Sequence, residues 1–410
     1  MNRFAFLVCL LLIVPLTGQA QESVSVWPQW RGPNRDCLVS NQPWPNKLTG
    51  NHLKQLWRIP LDKSYSGPIV STDRVFVTET VDKTFEVVSA LDRKTGKQLW
   101  TTKWKGSMSV PFFAARNGSW IRSTPAFDGE RLYVAGIRDV LVCLDTNTGK
   151  EIWKLDFVKK FNSNLPAFGF VCSPLVHNDH VYVQAGGSFF KLKKDTGEVV
   201  WRSLKDGGGM FGSAFSSPTL VNWNDEEFLL VQTRQALTGV DIKTGKVLWS
   251  EKIPTFRGMN ILTPTAYGDG VYTSAYGGKS FFFKQNNKGK VTQEWTNKLE
   301  AYMSSPLVIG DTLYIHLKNR RFACVDLKTG KMNWITGKSF GQYWSMVSNG
   351  KKILALDEDG VLYLIRHNPK QFELLDERRI SKDETWAHLA VCDNQVFVRE
   401  LRAMAVYEWK

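Results

Sequence analysis

The stretch Leu91-Asp92-Arg93-Lys94-Thr95-Gly96-Lys97-Gln98-Leu99-Trp100 decides the fold, because the chain repeats it. Three close copies and two weaker ones lie over 144–153, 240–249, 325–334, 192–201 and 288–295. Counted from Trp57, the final tryptophan recurs at intervals of 39 to 53 residues. Repeats of this length, made of short strand-like segments, predict the blades of a β-propeller.

Each repeat consists of four short runs of β-branched and aromatic residues separated by Gly, Asp and Asn, as the unit over 304–334 shows. The Gly of the phrase predicts a tight turn, because Gly takes positive φ without a Cβ penalty. The Trp is a large apolar plate that we expect to lie against the neighbouring blade. The predicted inter-blade docking residues are Trp57, Trp100, Trp153, Trp201, Trp249, Trp295 and Trp334, with Gly96, Gly149, Gly197, Gly245 and Gly330.

The number of predicted inner strands gives the number of blades. They begin near Ser66, Ser123, Ser173, Ser217, Thr263, Ser305, Trp344 and Trp386. The eighth blade stops one strand short at Trp409, and residues 53–60 resemble an outer strand without a blade of its own. We therefore predict an all-β, eight-bladed propeller of four-stranded antiparallel blades, closed by pairing of the N- and C-terminal strands in the last blade.

Three segments are distinguished along the chain. Residues 1–20, with one Arg, an apolar run and small residues before Ala20, predict a cleaved signal peptide. Residues 21–50 form a non-repetitive lead-in that we expect to pack against the propeller rim, and residues 51–410 form the propeller. Cys9 lies inside the apolar run, which argues against a lipid anchor. We expect an exported protein, periplasmic or secreted, with no transmembrane segment.

Charge and cysteine content limit the partners and the covalent structure. The net charge of +14 is compatible with anionic glycans or membrane surfaces as partners, or simply with a solvated basic surface. Nucleic acid is not expected for an exported protein, and we expect the propeller to be monomeric. The five cysteines beyond residue 20 are predicted to be buried core residues, with a single disulfide left open.

The repeated phrase behind Ser-Pro inner strands resembles the PQQ-like β-propeller repeat family. That family includes pyrroloquinoline quinone dehydrogenases and the assembly propellers of the outer-membrane BAM complex, which are scaffolds without a cofactor. The dehydrogenase branch implies an adjacent Cys-Cys pair and a Ca²⁺ site, and neither can be matched in this chain. We therefore predict no cofactor, metal or catalytic residue. The alternative is a PQQ- and Ca-dependent quinoprotein oxidoreductase acting on alcohols or sugars.

Two further motifs have structural explanations. The Gly-x-Gly-x-x-Gly stretch over 207–212 is followed by a predicted strand, so it lacks the helix N-terminus that a dinucleotide site needs. The acidic stretch 357–360 lies between two apolar runs and predicts a hairpin turn rather than a calcium loop.

Aromatic and polar residues cluster at the starts of the inner strands, which converge on one mouth of a propeller's channel. The candidate channel-mouth binding residues are Tyr65, Trp120, Arg122, Phe170, Phe215, Tyr302, Tyr343, Trp344, Trp386 and His388. The rings can stack on a sugar or an extended peptide, with Arg122 and His388 fixing its orientation. The longest insertion, 105–120, is expected to cover this mouth. The sequence thus favours a binding or assembly scaffold for cell-envelope proteins or glycans.

Overall fold

The computed structural model describes residues 25–39, 43–206, 214–223, 226–286 and 290–410. Within these ranges the chain forms eight antiparallel sheets of four strands each, as predicted. The predicted signal peptide, the glycine-rich stretch 207–212 and the weak phrase copy around Gly289 lie outside the described residues.

The first four blades follow each other along the chain. Blade 1 contains β2 (Ile69–Val70), β3 (Arg74–Val81), β4 (Phe85–Asp92) and β5 (Gln98–Lys105). Blade 2 contains β6 (Ala126–Phe127), β7 (Arg131–Gly136), β8 (Val140–Asp145) and β9 (Glu151–Asp156). Blade 3 contains β10 (Leu175–His177), β11 (His180–Ala185), β12 (Ser188–Lys193) and β13 (Val199–Ser203). Blade 4 contains β14 (Thr219–Trp223), β15 (Glu226–Gln232), β16 (Ala236–Asp241) and β17 (Val247–Lys252).

The remaining blades complete the ring. Blade 5 contains β18 (Thr265–Tyr267), β19 (Gly270–Ser274), β20 (Ser280–Gln285) and β21 (Val291–Asn297). Blade 6 contains β22 (Leu307–Ile309), β23 (Thr312–His316), β24 (Phe322–Asp326) and β25 (Met332–Ile335). Blade 7 contains β26 (Trp344–Ser348), β27 (Lys352–Asp357), β28 (Val361–Arg366) and β29 (Leu374–Arg379). Blade 8 contains β30 (Ala390–Cys392), β31 (Gln395–Glu400), β32 (Ala403–Trp409) and β1 (Leu53–Pro60).

Blade 8 closes the ring with strands from both ends of the propeller. β1 pairs antiparallel with β32, from Leu53 opposite Trp409 to Pro60 opposite Ala403. This confirms the predicted closure. It joins the first and last parts of the array by main-chain hydrogen bonds, so the ring cannot open without breaking a strand pair.

Helices are few and short in the described ranges. Phe112–Asn117 and Phe256–Gly258 form short 3₁₀ helices, and Phe157–Phe161 is a single α-helical turn. The carboxylate of Asp156 caps that turn by accepting from the Lys159 amide at 2.9 Å. None of these helices has the length and apolar character needed to cross a bilayer. The five described cysteines, Cys37, Cys143, Cys172, Cys324 and Cys392, are buried and form no disulfide.

The turn of the repeated phrase depends on its Asp as well as on its Gly. Asp92 Oδ1 accepts hydrogen bonds from the Thr95 amide at 2.8 Å and from the Thr95 hydroxyl at 2.6 Å. Gly96 has φ of 73°, in the left-handed region. Asp145, Asp241 and Asp326 make the same pair of contacts in their own copies. The Asp side chain therefore closes the loop, and the Gly lets it turn.

The docking tryptophans lie on the turn of the next blade. Trp100 donates from Nε1 to Thr146 O at 2.9 Å, and a Cβ added to Gly149 would approach the Trp100 ring to 2.5 Å. The same ring-on-glycine contact joins Trp57 to Gly96, Trp153 to Gly197, Trp201 to Gly245 and Trp295 to Gly330. Trp334 instead donates to Asn368 O of blade 7. The turn glycine that Trp249 would meet in blade 5 falls outside the described residues.

Blade 7 replaces the tryptophan by an acid that holds the lead-in. Asp376 pairs with Leu364 just before a bulge, which is the register that Trp334 has opposite Cys324 in blade 6. Its Oδ2 accepts hydrogen bonds from the amides of Leu48 at 2.7 Å and Thr49 at 2.9 Å. The degenerate blade is therefore the attachment point of the lead-in.

The first part of the lead-in lies in the central channel, so the prediction that it packs on the rim is wrong for residues 25–39. The Trp27 amide donates to Val70 O of blade 1, and Val39 donates to Ser348 O of blade 7. Pro28 O accepts from Phe127 of blade 2 at 2.7 Å. Inner strands expose main-chain groups towards the axis, and this segment satisfies them. The part from residue 43 onward contacts blade 7 through Leu48 and blade 8 through Trp44.

Candidate binding site at the channel mouth

The starts of the inner strands surround a cavity of about 370 Å³ at one mouth of the channel. Eight of the ten predicted mouth residues line it, namely Tyr65, Arg122, Phe215, Tyr302, Tyr343, Trp344, Trp386 and His388. Trp30 of the lead-in also lines it. The part of the lead-in that lies in the channel therefore forms part of the cavity wall.

Two predicted residues do not line the cavity. Phe170 is buried between blades 2 and 3, where its ring meets Phe157 edge-on at 6.1 Å. Trp120 is half-buried, with the Lys63 ammonium 4.3 Å from its ring centre. A ring placed near a strand start can face the axis or the blade interface, and its position in the sequence does not distinguish the two.

One side of the mouth is a chain of five stacked or tilted rings that we call the tyrosine arc: Tyr65, Trp386, Tyr343, Tyr302 and Tyr276. Successive ring centres are 4.4, 3.7, 5.8 and 5.3 Å apart. Burial raises the pKa of Tyr65 to about 12, so its hydroxyl stays protonated at neutral pH. Tyr276 was missed from the sequence because it follows β19 rather than preceding an inner strand.

The other side is apolar, and we call it the phenylalanine arc: Phe113, Phe168 and Phe215. The ring centres are 6.4 and 5.6 Å apart. Phe113 belongs to the insertion over 105–120, which also contributes Val110, Ala114 and Gly118 to the lining. The structure therefore places the insertion over the mouth. Phe168 was missed, although it lies only two residues before the predicted Phe170.

A belt of hydroxyl side chains joins neighbouring blades below the rings. The Thr124 amide donates to Ser173 Oγ at 3.1 Å, and the Ser173 amide donates to Ser217 Oγ at 2.9 Å. The same bond joins Gly67 to Thr124, Ser217 to Thr263 and Thr263 to Ser305. These hydroxyl residues also line the cavity. The Ser-Pro motif of the inner strands thus serves both ring closure and the cavity wall.

Arg122 and His388 are the charged or titratable nitrogen groups of the described lining. Arg122 donates from Nε to Trp120 O at 3.2 Å and from Nη2 to Gly118 O at 3.0 Å. Burial lowers its pKa to about 10, so it remains a cation at neutral pH. No carboxylate of the described ranges forms an ion pair with it.

His388 is a neutral group at the floor of the cavity. Its Nδ1 donates to Leu389 O at 2.8 Å, which leaves Nε2 facing the Cys37 thiol at 3.4 Å. Burial lowers its pKa to about 4. Among the described lining residues, the mouth therefore presents one unpaired cation, Arg122, among aromatic rings and hydroxyls.

The donor set of the cavity does not fit a calcium-bound quinone. Ca²⁺ takes six to eight oxygen ligands and favours carboxylates and amide side chains. The described lining contains no Asp, Glu, Asn or Gln. The acidic stretch at 357–360 is used in the turn between β27 and β28, where Asp357 Oδ2 accepts from the Tyr363 hydroxyl at 2.9 Å. Elsewhere in the described ranges, no three His, Cys, Asp or Glu side chains cluster to hold a metal.

Comparisons with known proteins agree with the propeller fold. A family model described as "Outer membrane protein assembly factor BamB" matches residues 83–336. The BamB protein of Shewanella oneidensis is 22% identical over 271 residues, which cover 60% of this chain and 63% of that protein, less than two thirds of its length. BamB of Moraxella catarrhalis superposes with a TM-score of 0.64 at 17% identity, over 87% of this chain and 98% of that one.

The quinoprotein branch shares the same fold. Quinohemoprotein alcohol dehydrogenase of Comamonas testosteroni superposes with a TM-score of 0.66 at 14% identity, over 93% of this chain and 80% of that one. At this identity the likeness concerns the fold alone, because one propeller architecture carries many unrelated sites.

Proposed function

The chain belongs to the PQQ-like propeller family described as outer membrane protein assembly factor BamB, and we propose that it is an exported, non-enzymatic scaffold for the assembly of cell-envelope proteins. The family match over residues 83–336 carries this proposal. The eight closed blades support it, because a rigid ring holds its loops in fixed positions for a partner. In this proposal the protein presents its loops to a partner and catalyses no reaction.

We place the partner at the mouth, on a surface that we call the phenylalanine rim: Phe112, Phe113 and Phe256. Their exposed fractions are 92%, 52% and 50%. Exposed aromatic side chains grouped around a cavity are typical of protein interaction sites. The rim stands beside the cavity, since Phe113 lines it and Phe256 contacts Tyr276 at a ring distance of 6.1 Å. An envelope protein with an apolar segment fits this surface better than a glycan does, because the rim offers rings and few hydrogen-bonding groups.

Export completes the proposal. We propose that residues 1–20 are removed as a signal peptide, and that the protein acts in the periplasm or outside the cell as a monomer without a lipid anchor. The mass of the protein purified from the cell envelope tests this directly. A mass that retains residues 1–20, or that carries an added diacylglycerol, contradicts it.

The docking proposal is tested with a matched pair of variants. Phe112→Ser with Phe113→Ser removes two rim residues, and Leu99→Ser with Leu248→Ser removes two exposed apolar residues from the outer strands. We expect site-specific photo-crosslinking from position 112 to capture an outer-membrane assembly protein. The rim variant should bind that purified partner at least about tenfold more weakly, while the outer-strand variant binds normally.

Two outcomes contradict the docking proposal. One is a rim variant that binds the partner as tightly as the unmodified protein. The other is retention of the protein by anionic glycan but by no envelope protein, which would move the partner to a different class.

A further inference from the structure

We propose that the mouth cavity is a binding site for a small organic carboxylate with a flat apolar body, and that Arg122 holds the carboxylate. The proposal concerns the cavity beneath the phenylalanine rim and does not depend on the scaffold function. It rests on three properties of the lining: an unpaired cation, a belt of hydroxyl groups and two facing walls of rings.

The first property is the state of Arg122. Its Nε and Nη2 are held by carbonyl groups of its own loop, at 3.2 and 3.0 Å, which leaves Nη1 for a ligand. These two bonds fix the plane of the guanidinium before any ligand arrives. The second N–H of Nη2 is also left, so one N–H from each terminal nitrogen can bind a carboxylate as a parallel pair, with more directional contact than a lysine ammonium gives.

The second property is the belt of hydroxyl groups. Thr124, Ser173 and Ser217 line the cavity, and each of their hydroxyl oxygens accepts an amide hydrogen bond from the preceding blade. A hydroxyl that accepts still has its own O–H to donate. An oxyanion supplies acceptors for such donors, and therefore matches this lining.

The lining also disfavours cationic ligands. It contains no carboxylate in the described residues. A cationic ligand would meet Arg122 without any compensating acid. The same absence of acids removes the repulsion that an anion would otherwise meet.

The third property is the shape and chemistry of the walls. The tyrosine arc and the phenylalanine arc face each other across about 370 Å³, which is near the lower end of the size range of small-molecule sites. Rings on both sides favour a flat apolar body that can stack. A small aromatic acid combines such a body with the charge that Arg122 needs.

The test compares the affinity of the full purified protein for an aromatic acid with its affinity for the corresponding uncharged amide. Indole-3-acetate and indole-3-acetamide have the same ring and differ in charge, and their binding is measured by isothermal titration calorimetry without added metal. We expect the acid to bind at least about tenfold more tightly than the amide, because a charge-assisted hydrogen bond is stronger than a neutral one.

Variants then locate the carboxylate. Arg122→Gln should lower the affinity for the acid at least about tenfold and leave the weak affinity for the amide unchanged. Arg122→Lys should restore part of the loss, since it keeps the charge without the two-pronged geometry. Arg321→Gln removes an exposed arginine away from the cavity and should change neither affinity. The thermal midpoint of each variant shows that it is folded.

Several results would overturn the proposal. They are equal affinity for acid and amide, an unchanged acid affinity in Arg122→Gln, or no binding of any aromatic acid at millimolar concentration. If Arg122→Gln does not fold, the acid-to-amide ratio of the unmodified protein and the Arg122→Lys variant still decide. Binding of pyrroloquinoline quinone only in the presence of Ca²⁺ would also overturn it, because a metal rather than Arg122 would then be the anchor.

Discussion

Arginines are buried at two levels of the channel and serve different purposes there. In the lead-in, Arg31 and Arg35 are 1% and 3% exposed and donate to carbonyls of blades 6 and 3. At the mouth, Arg122 is half-buried and, among the residues that the structure describes, donates to its own loop alone. The lead-in arginines therefore connect blades to each other, whereas the guanidinium of Arg122 lines a cavity. The partners of a buried cation, rather than its burial, indicate what it does.

We call Arg31 and Arg35 the channel clamp, and the largest loss of stability is expected when one of them is replaced. Arg35 donates to Pro174 O at 2.8 Å and to Ser173 O at 3.0 Å, and Arg35→Met removes both of these charged donors from buried carbonyls. Hydrogen bonds to charged groups contribute roughly 1.5 to 3 kcal/mol each, so we expect a loss of about 4 kcal/mol in the free energy of unfolding. Urea denaturation measures it. A loss no larger than that of an Arg122 variant would remove the distinction between clamp and site.

The outer edge of the ring is expected to be the next most sensitive place. Gly149→Ala combines a left-handed φ of 73° with a Cβ that would lie 2.5 Å from the Trp100 ring. We expect it to cost about 3 kcal/mol, since strain in φ and displacement of the indole add together. Gly310→Ala is the matched control, because its φ is 56° and nothing lies within 4 Å of the added Cβ.

The control should cost only about 1 kcal/mol, the strain of the backbone alone. Thermal and urea unfolding of the two variants side by side give the difference, which isolates the contact of the tryptophan plate. Equal losses would mean that the glycine is needed for the turn and that the plate contributes little to blade docking.

Repeats, and little else, made the fold predictable from sequence. The phrase ending in Trp100 revealed the repeat and the docking contacts, while the starts of the inner strands gave the blade number and the closure through residues 53–60. The lead-in has no repeat to align with, so its position inside the channel depends on carbonyls of blades distant in sequence, such as Pro306. Sequence likewise indicated the mouth but could not separate Phe170, which is buried between blades, from Phe215, which lines the cavity.

Carboxyl groups are absent from the described cavity lining but are buried between blades, where they make the stability of the fold depend on pH. The mouth lining has no carboxylate in the described residues, but Glu86 is buried between blades 1 and 2, where it accepts from the Ile137 amide at 2.6 Å and Trp104 Nε1 at 2.8 Å. Burial raises the pKa of Glu86 to about 7, and that of Asp139, between blades 2 and 3, also to about 7.

A carboxyl group whose pKa is raised in the folded state is stabilising at low pH, and this contribution is lost as the pH rises through the folded pKa. We therefore expect each of the two groups to lower the free energy of unfolding by roughly 2 to 3 kcal/mol between pH 5 and pH 8. Urea denaturation across that range measures it. Glu86→Gln should flatten part of the slope, and an unchanged slope would show that Glu86 is ionised in the folded protein throughout.

The smallest effect on stability is expected at Arg122, and it is the most informative for function. Arg122→Gln breaks hydrogen bonds only to Trp120 O and Gly118 O, within one loop, and a half-exposed loop can replace them with water. We expect the free energy of unfolding to change by less than about 1 kcal/mol, because no contact between blades is lost. A large loss of stability would place Arg122 with Arg31 and Arg35 as part of the clamp. A small one means that the fold does not require this cation, which agrees with its proposed role as the carboxylate anchor of the cavity.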